Sequence, residues 1–201
     1  MNFLGHLYFS NDDLDLMVAN LYGDFVKGKD YSYLPKIVQT GVTLHRNIDD
    51  FIDNHLEVKE LRLKLYPELP KIAGIAIDLY FDHLLAKNWN QFHQTPLDEF
   101  ADAFTEYVKN PNNLYFPKQD FTYSNEYLHL LKMMGKYGWL KRYREMEGLA
   151  MASEGLAKRI AVENNLEDAP LVFIKHEKEI EVVFKNYMKD AKIRFQEFLN
   201  Q

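Results

Sequence analysis

IAGIAIDLYFDHLLA, residues 72–86, puts apolar side chains on every side of a helix and sets Asp78, Asp82 and His83 among them. A helix that is apolar all round is buried, and a buried carboxylate is costly unless it is paired, hydrogen-bonded or bound to a metal. Three such groups on one helix therefore call for partners. Upstream, residues 41–55 read GVTLHRNIDDFIDNH, with His45, Asp49 and Asp53 at successive i, i+4 positions and so on one helical face. Two helices of this kind, face to face, can enclose a cation.

Away from these two segments the periodicity stays helical, with apolar residues recurring at three and four positions and no convincing period-2 runs, which predicts an all-α fold. Ser10 with Asp13 reads as a capping signal for a helix whose stripe is Leu14, Met17, Val18, Leu21 and Phe25. Further helices are expected from Leu34-Pro35 through Ile52, from Leu56 to Tyr66, from Ile72 and from Thr95-Pro96. Residues 110–120, NPNNLYFPKQD, interrupt any period with two prolines and three asparagines and read as a loop. Beyond it, helices are expected over Ser124–Met134, Trp139–Glu163 with a break at Gly148, and Pro170–Leu199. The chain is read as one all-helical domain over residues 1–201, with a site-bearing half at 1–93 and a supporting, partner-docking half at 94–201.

A formal charge of −6 with 47% hydrophobic residues in 201 excludes a disordered chain and gives no general electrostatic reason to expect nucleic acid. With no cysteine, any transition-metal site must be built from His, Asp, Glu and water. The start, MNFLGHLYFSNDD, lacks the basic region and cleavage site of a signal peptide, and Asp78, Asp82 and His83 interrupt the longest apolar run. The expectation is a cytoplasmic protein with no membrane partner.

The polar residues expected inside are His6, Asp24, His45, Asp49, Asp78, Asp82 and His83, from four separate segments. Mixed imidazole and carboxylate donors suit Mn²⁺, Fe²⁺, Zn²⁺ or Mg²⁺, ions that can make hydroxide from water near neutral pH, so hydrolysis is the natural reaction class. Taken singly, each pair is also what a solvated or salt-bridged helix face presents. Asp82 and His83 project about 100° apart and can meet one ion only at an edge of their helix. Asp24 sits beside Lys27, as a salt bridge or as part of a site in which Lys27 and Lys29 attract phosphate. Arg46 with Asp50 reads as surface support, and His55, His93, His129 and His176 as structural or exposed. Lys132, Lys136, Lys141, Arg142 and Arg144 surround Tyr137-Gly138-Trp139. That cluster is either a solvated face or a docking patch for an acidic partner, with Trp139 as anchor.

MNFLGHLYFS, NLYGDFVKG, GVTLHRNIDDFIDNH and IDLYFDHLLAKNW, in this order, resemble the acyl carrier protein phosphodiesterase family across roughly residues 1–90. The resemblance implies a divergent HD-type, metal-dependent phosphohydrolase of compact helical-bundle form, preferring Mn²⁺ over Mg²⁺, Fe²⁺ or Zn²⁺. It implies removal of 4′-phosphopantetheine from holo-acyl carrier protein to give the apo form. It puts functional weight on His6, Asp24, His45, Asp49, Asp82 and His83. His45, Asp49, Asp82 and His83 are the expected ligands, Asp24 a fifth, and His6 a ligand or a group orienting one. Asp78 is expected as base or as an acceptor behind a ligand, Lys27 or Arg46 as stabilisers of phosphate charge, and Lys136, Trp139, Lys141, Arg142 and Arg144 as the dock for the acidic carrier. The chain contains no His-Asp dipeptide; Asp82-His83 has the inverted order. Two other readings stay open on the residues: an HD-type hydrolase of a nucleotide or small phosphoester, and a non-catalytic helical binding protein whose acids are satisfied by Arg and Lys.

Overall fold

The helix announced by residues 72–86 forms over Ala73–Lys87 (α5), and eleven of its residues, Asp82 and His83 among them, are buried. In the computed structural model, which describes residues 1–199, four other helices pack on it. They are α1 (Phe3–Tyr8), α4 (Leu56–Leu65), α9 (Met146–Ala157) and α10 (Ala169–Leu199). The remaining helices are α2 (Leu14–Leu21), α3 (Lys36–Asn54), α6 (Leu97–Lys109), α7 (Asn125–Tyr137) and α8 (Trp139–Arg142). One antiparallel pair, Tyr115–Phe116 with Phe121–Thr122, is the sheet found among the described residues, so the fold is all-α. No described helix is long and apolar enough to cross a membrane.

A single apolar core runs from Leu4 and Leu7 through Val38, Val42, Ile48, Leu79 and Phe81 to Phe184 and Phe195. Buried tyrosine hydroxyls tie distant segments into it, since each must find an acceptor. Tyr127 donates to the Val18 carbonyl at 2.6 Å and Tyr80 to the Ala169 carbonyl at 2.7 Å. Along the α2–α3 seam the backbones approach so closely that a Cβ on Gly41 would lie 2.3 Å from the Ala19 carbonyl carbon.

Several boundaries differ from the periodicity reading. Residues 3–8 form a helix that six residues of sequence cannot announce, because its nucleation depends on a tertiary partner. The α2 cap is Asp13, whose carboxylate accepts from the Leu16 amide at 3.0 Å, while the Ser10 hydroxyl donates back to the His6 carbonyl. The long helix expected from Trp139 breaks at Tyr143–Glu145 and stops at Ala157. Gly148 lies inside α9, where it admits the end of α8: a Cβ there would sit 1.8 Å from the Arg142 carbonyl oxygen. The expected 110–120 loop contains a short 3₁₀ turn, Pro111–Leu114, and the small hairpin.

Asp82 explains α1. Its carboxylate, fully buried, accepts from the amides of Asn2 (3.2 Å), Leu4 (2.7 Å) and Gly5 (3.1 Å), satisfying the free N–H groups of that helix end. Replacing Asp82 by Ala would leave buried donors unpartnered, at about 1–3 kcal/mol each. We expect Asp82→Ala to lose at least about 3 kcal/mol of stability in urea unfolding, with Asp82→Asn, which keeps one acceptor oxygen, losing less.

Candidate metal centre

Three segments bring His6, Asp24, His45 and Asp49 together. The short α1 delivers His6 and α3 delivers His45 and Asp49 one turn apart. After α2 the chain tightens into a 3₁₀ turn, Tyr22–Phe25, that delivers Asp24. Gly23 makes this turn workable, because a Cβ at that position would lie 2.3 Å from His45 Cγ.

His45 Nε2 lies 3.2 Å from both Asp24 Oδ1 and Asp49 Oδ2, and His6 Nε2 lies 3.3 Å from Asp49 Oδ1. The two imidazoles stack with centroids 4.2 Å apart. His6, His45 and Asp49 each offer a ligand atom within 4.8 Å of the others. The histidines are buried, Asp49 is partly exposed and Asp24 is exposed, so the group sits at the inner end of an opening. That opening is a cavity of about 380 Å³ also lined by Asp53, Asp78 and Ile75.

Hydrogen bonding around His6 determines which nitrogen faces the cluster. Asn20, fully buried, gives its amide hydrogens to the His6 carbonyl (2.8 Å) and to Ser10 Oγ (3.0 Å), so its Oδ1 accepts from His6 Nδ1 at 3.0 Å. The neutral ring then turns the Nε2 lone pair toward Asp49. Burial, followed by the neighbouring His45 charge, lowers the His6 pKa and favours that neutral form. A lone pair facing a carboxylate oxygen at 3.3 Å is repulsive without a cation between them. At His45 one Nε2–H cannot serve two carboxylates equally, and its buried Nδ1 has no partner. The donor set, two imidazoles and two carboxylates, thus fits a divalent cation of borderline or hard character.

Without a cation the same geometry is held by charge. Burial alone would lower the pKa of His45, but hydrogen bonding to Asp24 and Asp49 outweighs it and raises the group to about 9. Burial likewise works against ionisation of Asp49 and Asp24, yet hydrogen bonding to His45 holds both below the usual carboxylate range, Asp49 far below. Asp78 differs: burial raises it, opposed by the Met1 amino group 3.0 Å from its Oδ1.

The structure does not bring Asp82 and His83 into this cluster. Asp82 lies beneath α1 on the amides described above, where burial pushes it up to about 7. His83, on the next position round α5, donates from Nδ1 to the Tyr143 carbonyl at 2.7 Å and meets the Phe173 ring edge-on. The 100° step between the two residues sends one to α1 and the other toward α8–α10, away from the cavity. Lys27, on the loop after Asp24, and Arg46, on α3, do not line the cavity. Lys27 Nζ donates to the Asp24 carbonyl, and Arg46 anchors the loop through the Val26 and Gly28 carbonyls while lying over the Tyr31 ring. Asp53 pairs with Arg62. In the basic cluster, Lys141 and Arg144 are neutralised by Asp102 and Asp98 of α6, and Lys136 lies over the Tyr137 ring. Arg142 has no carboxylate partner among the described residues, its Nη1 reaching only Met151 Sδ.

A histidine whose folded pKa exceeds its unfolded value of 6.5 adds stability that is complete below pH 6.5 and is lost as pH rises through about 9. Metal-free protein should therefore lose urea resistance from this group between about pH 6.5 and 9, and His45→Gln should flatten that slope. The His45 ring protons should titrate near pH 9 by NMR, and Asp49→Asn should bring the midpoint down by about one unit or more.

Comparison with known proteins places the chain in a family. The family model described as acyl carrier protein phosphodiesterase matches residues 1–191. The acyl carrier protein phosphodiesterase of Enterobacter sp. (strain 638) is 35% identical over 162 residues, covering 79% of each chain. Those of Klebsiella pneumoniae subsp. pneumoniae, 35% over 160 residues, and Escherichia coli O6:H1, 34% over 162, cover the same shares. No solved structure matches the chain significantly. With the model spanning nearly the whole sequence and relatives above 30% identity, this chain belongs to the acyl carrier protein phosphodiesterase family.

Proposed function

We propose that this protein is a metal-dependent phosphodiesterase that hydrolyses the link between 4′-phosphopantetheine and the serine of holo-acyl carrier protein; its relatives carry the name acyl carrier protein phosphodiesterase. The observation that carries the metal part is the grouping of ligand atoms from His6, His45 and Asp49 within 4.8 Å of one another, with the Asp24 carboxylate 3.2 Å from His45 Nε2, in a cavity open to solvent. These four residues would hold the ion, Mn²⁺ first among Mn²⁺, Mg²⁺, Fe²⁺ and Zn²⁺. When bound, such an ion supplies Lewis acidity that offsets phosphate charge and lowers the pKa of water. We read the arrangement as a divergent HD-type site on one all-helical domain, acting in the cytoplasm.

In the reaction, water adds to phosphorus, the bond from phosphorus to the serine oxygen breaks, and that oxygen leaves with a proton. The products are the free serine hydroxyl and 4′-phosphopantetheine. Asp78, whose carboxyl burial raises, lines the same cavity and is the group suited to take the proton from the attacking water and return one to the serine oxygen. Asn20 keeps the His6 ring turned inward, and Gly23 leaves the space in which the His45 ring lies. Asp82 acts through α1: by fixing Asn2, Leu4 and Gly5 it fixes His6 one residue on. Lys27, exposed at the loop beside Asp24, is available to an approaching phosphate, whereas Arg46 is occupied in holding the loop.

One observation favours the carrier protein over a nucleotide or other small phosphoester: the relatives carry that name at 79% coverage of each chain. The decisive experiment is the intact mass of holo-acyl carrier protein after incubation with the purified protein and Mn²⁺. Loss of the phosphopantetheine mass is expected, abolished by EDTA and by Asp49→Asn. An unchanged carrier mass with folded, metal-loaded protein would redirect the assignment to a small phosphoester, and EDTA-insensitive cleavage would remove the metal.

A further inference from the structure

A second cavity, of about 210 Å³, lies beside the first and shares Asn2, Phe3 and Leu156 with it. Its walls come from α1, α8 and α9. Phe3 and Trp139, with ring centroids 6.1 Å apart and planes 15° from parallel, form one side, and Met151 and Leu156 belong to the other. The polar groups in this apolar channel have no carboxylate partner among the described residues. Tyr143, 3% exposed, lines it with a hydroxyl that makes no hydrogen bond to a described residue. Arg142 and Arg159 flank it, and neither guanidinium pairs with a carboxylate among the described residues: Arg142 reaches Met151 Sδ and Arg159 Nε reaches the Gly155 carbonyl. These donors, set at the edge of an apolar wall, can meet an acceptor brought by a ligand.

We infer that this channel receives the pantetheine arm of the substrate, which runs from the phosphate in the first cavity past Asn2, Phe3 and Leu156. The inference rests on the phosphodiesterase reading and extends it. An arm of that chemistry alternates methyl and methylene carbon with two amides. Its carbon chain suits the Phe3, Trp139 and Met151 surfaces, and its amide carbonyls are acceptors for Tyr143 and Arg142. The shared rim joins the two ends of one ligand: phosphorus where the carboxylates and imidazoles converge, the arm in the apolar channel. A helix of the carrier protein is a poorer occupant, because a helix about 10 Å across does not enter a cavity of about 210 Å³.

The test uses the full chain and pantetheine, which carries the arm without the phosphate, followed through the indole N–H resonance of Trp139. Gly155→Leu fills the channel at a helical position where a Cβ meets nothing nearer than Arg159 Nη2 at 4.0 Å. Ala152→Phe is a second filling variant. Pantetheine should shift the Trp139 resonance saturably in the wild type, and both substitutions should weaken it at least tenfold. In turnover of holo-carrier protein they should raise KM more than they lower kcat. No saturable shift in folded wild type, or equal affinity in wild type and both filled variants, overturns the inference. Wild-type carrier mass, measured alongside, separates the two readings. Cleavage without pantetheine in the channel leaves the hydrolase and removes the arm site. Pantetheine bound in the channel of a protein that leaves the carrier intact keeps the arm site and removes the hydrolase.

Discussion

One buried carboxylate holds the helix that carries His6 into the candidate site. Asp82 has no access to solvent, and the amides of Asn2, Leu4 and Gly5 converge on its two oxygens. A six-residue helix has no stability of its own in water. Clamped to α5 in this way, α1 becomes a fixed element that carries His6 inward, contributes Asn2 and Phe3 to both cavities, and lays Leu4 and Leu7 into the core. Burying a charge is worthwhile only when its hydrogen-bonding capacity is filled, and here the start of a helix fills it.

On that scaffold the site groups imidazole and carboxylate side chains of opposite charge. Asn20 fixes the tautomer of His6, so its free nitrogen faces an ionised carboxylate. His45 is shared between two acids and is raised to about 9 in consequence. Protons can hold such a cluster together, but a divalent cation that displaces the His45 proton would be met by His6, His45 and Asp49 at once, since their ligand atoms all lie within 4.8 Å of one another. The structure thus separates two groups of residues that the sequence motif runs together. The inward-facing acids and imidazoles of α1, the Tyr22–Phe25 turn and α3 surround the opening, while Asp82 and His83 of α5 lie behind it.

How far this was legible in the sequence follows from the period of each signal. The all-apolar 72–86 run is long enough to identify a buried helix, and the i, i+4 spacing of His45 and Asp49 is enough to place both on one face. Tertiary partners are a different matter. Asp82 and His83 are adjacent in sequence, and only packing decides that one meets backbone amides and the other the Tyr143 carbonyl. Asn20 and Gly23 carried a weak signal, a polar residue and a glycine inside NLYGDF just ahead of Asp24, but their work depends on His6 and His45 arriving from elsewhere. The basic cluster near Trp139 reads as one patch in sequence, whereas α6 acids neutralise Lys141 and Arg144 and leave Arg142 at the mouth of the second cavity.

The separation of a cation-holding group from a supporting group is the central claim, and Mn²⁺ titration followed by electron paramagnetic resonance tests it most directly. The account predicts a tight Mn²⁺ site in the wild type that is lost in Asp49→Asn and in His45→Gln and survives in Asp82→Asn and His83→Gln, provided those two remain folded. Tight binding that survives Asp49→Asn and disappears in folded Asp82→Asn or His83→Gln would contradict it and return the ion to α5.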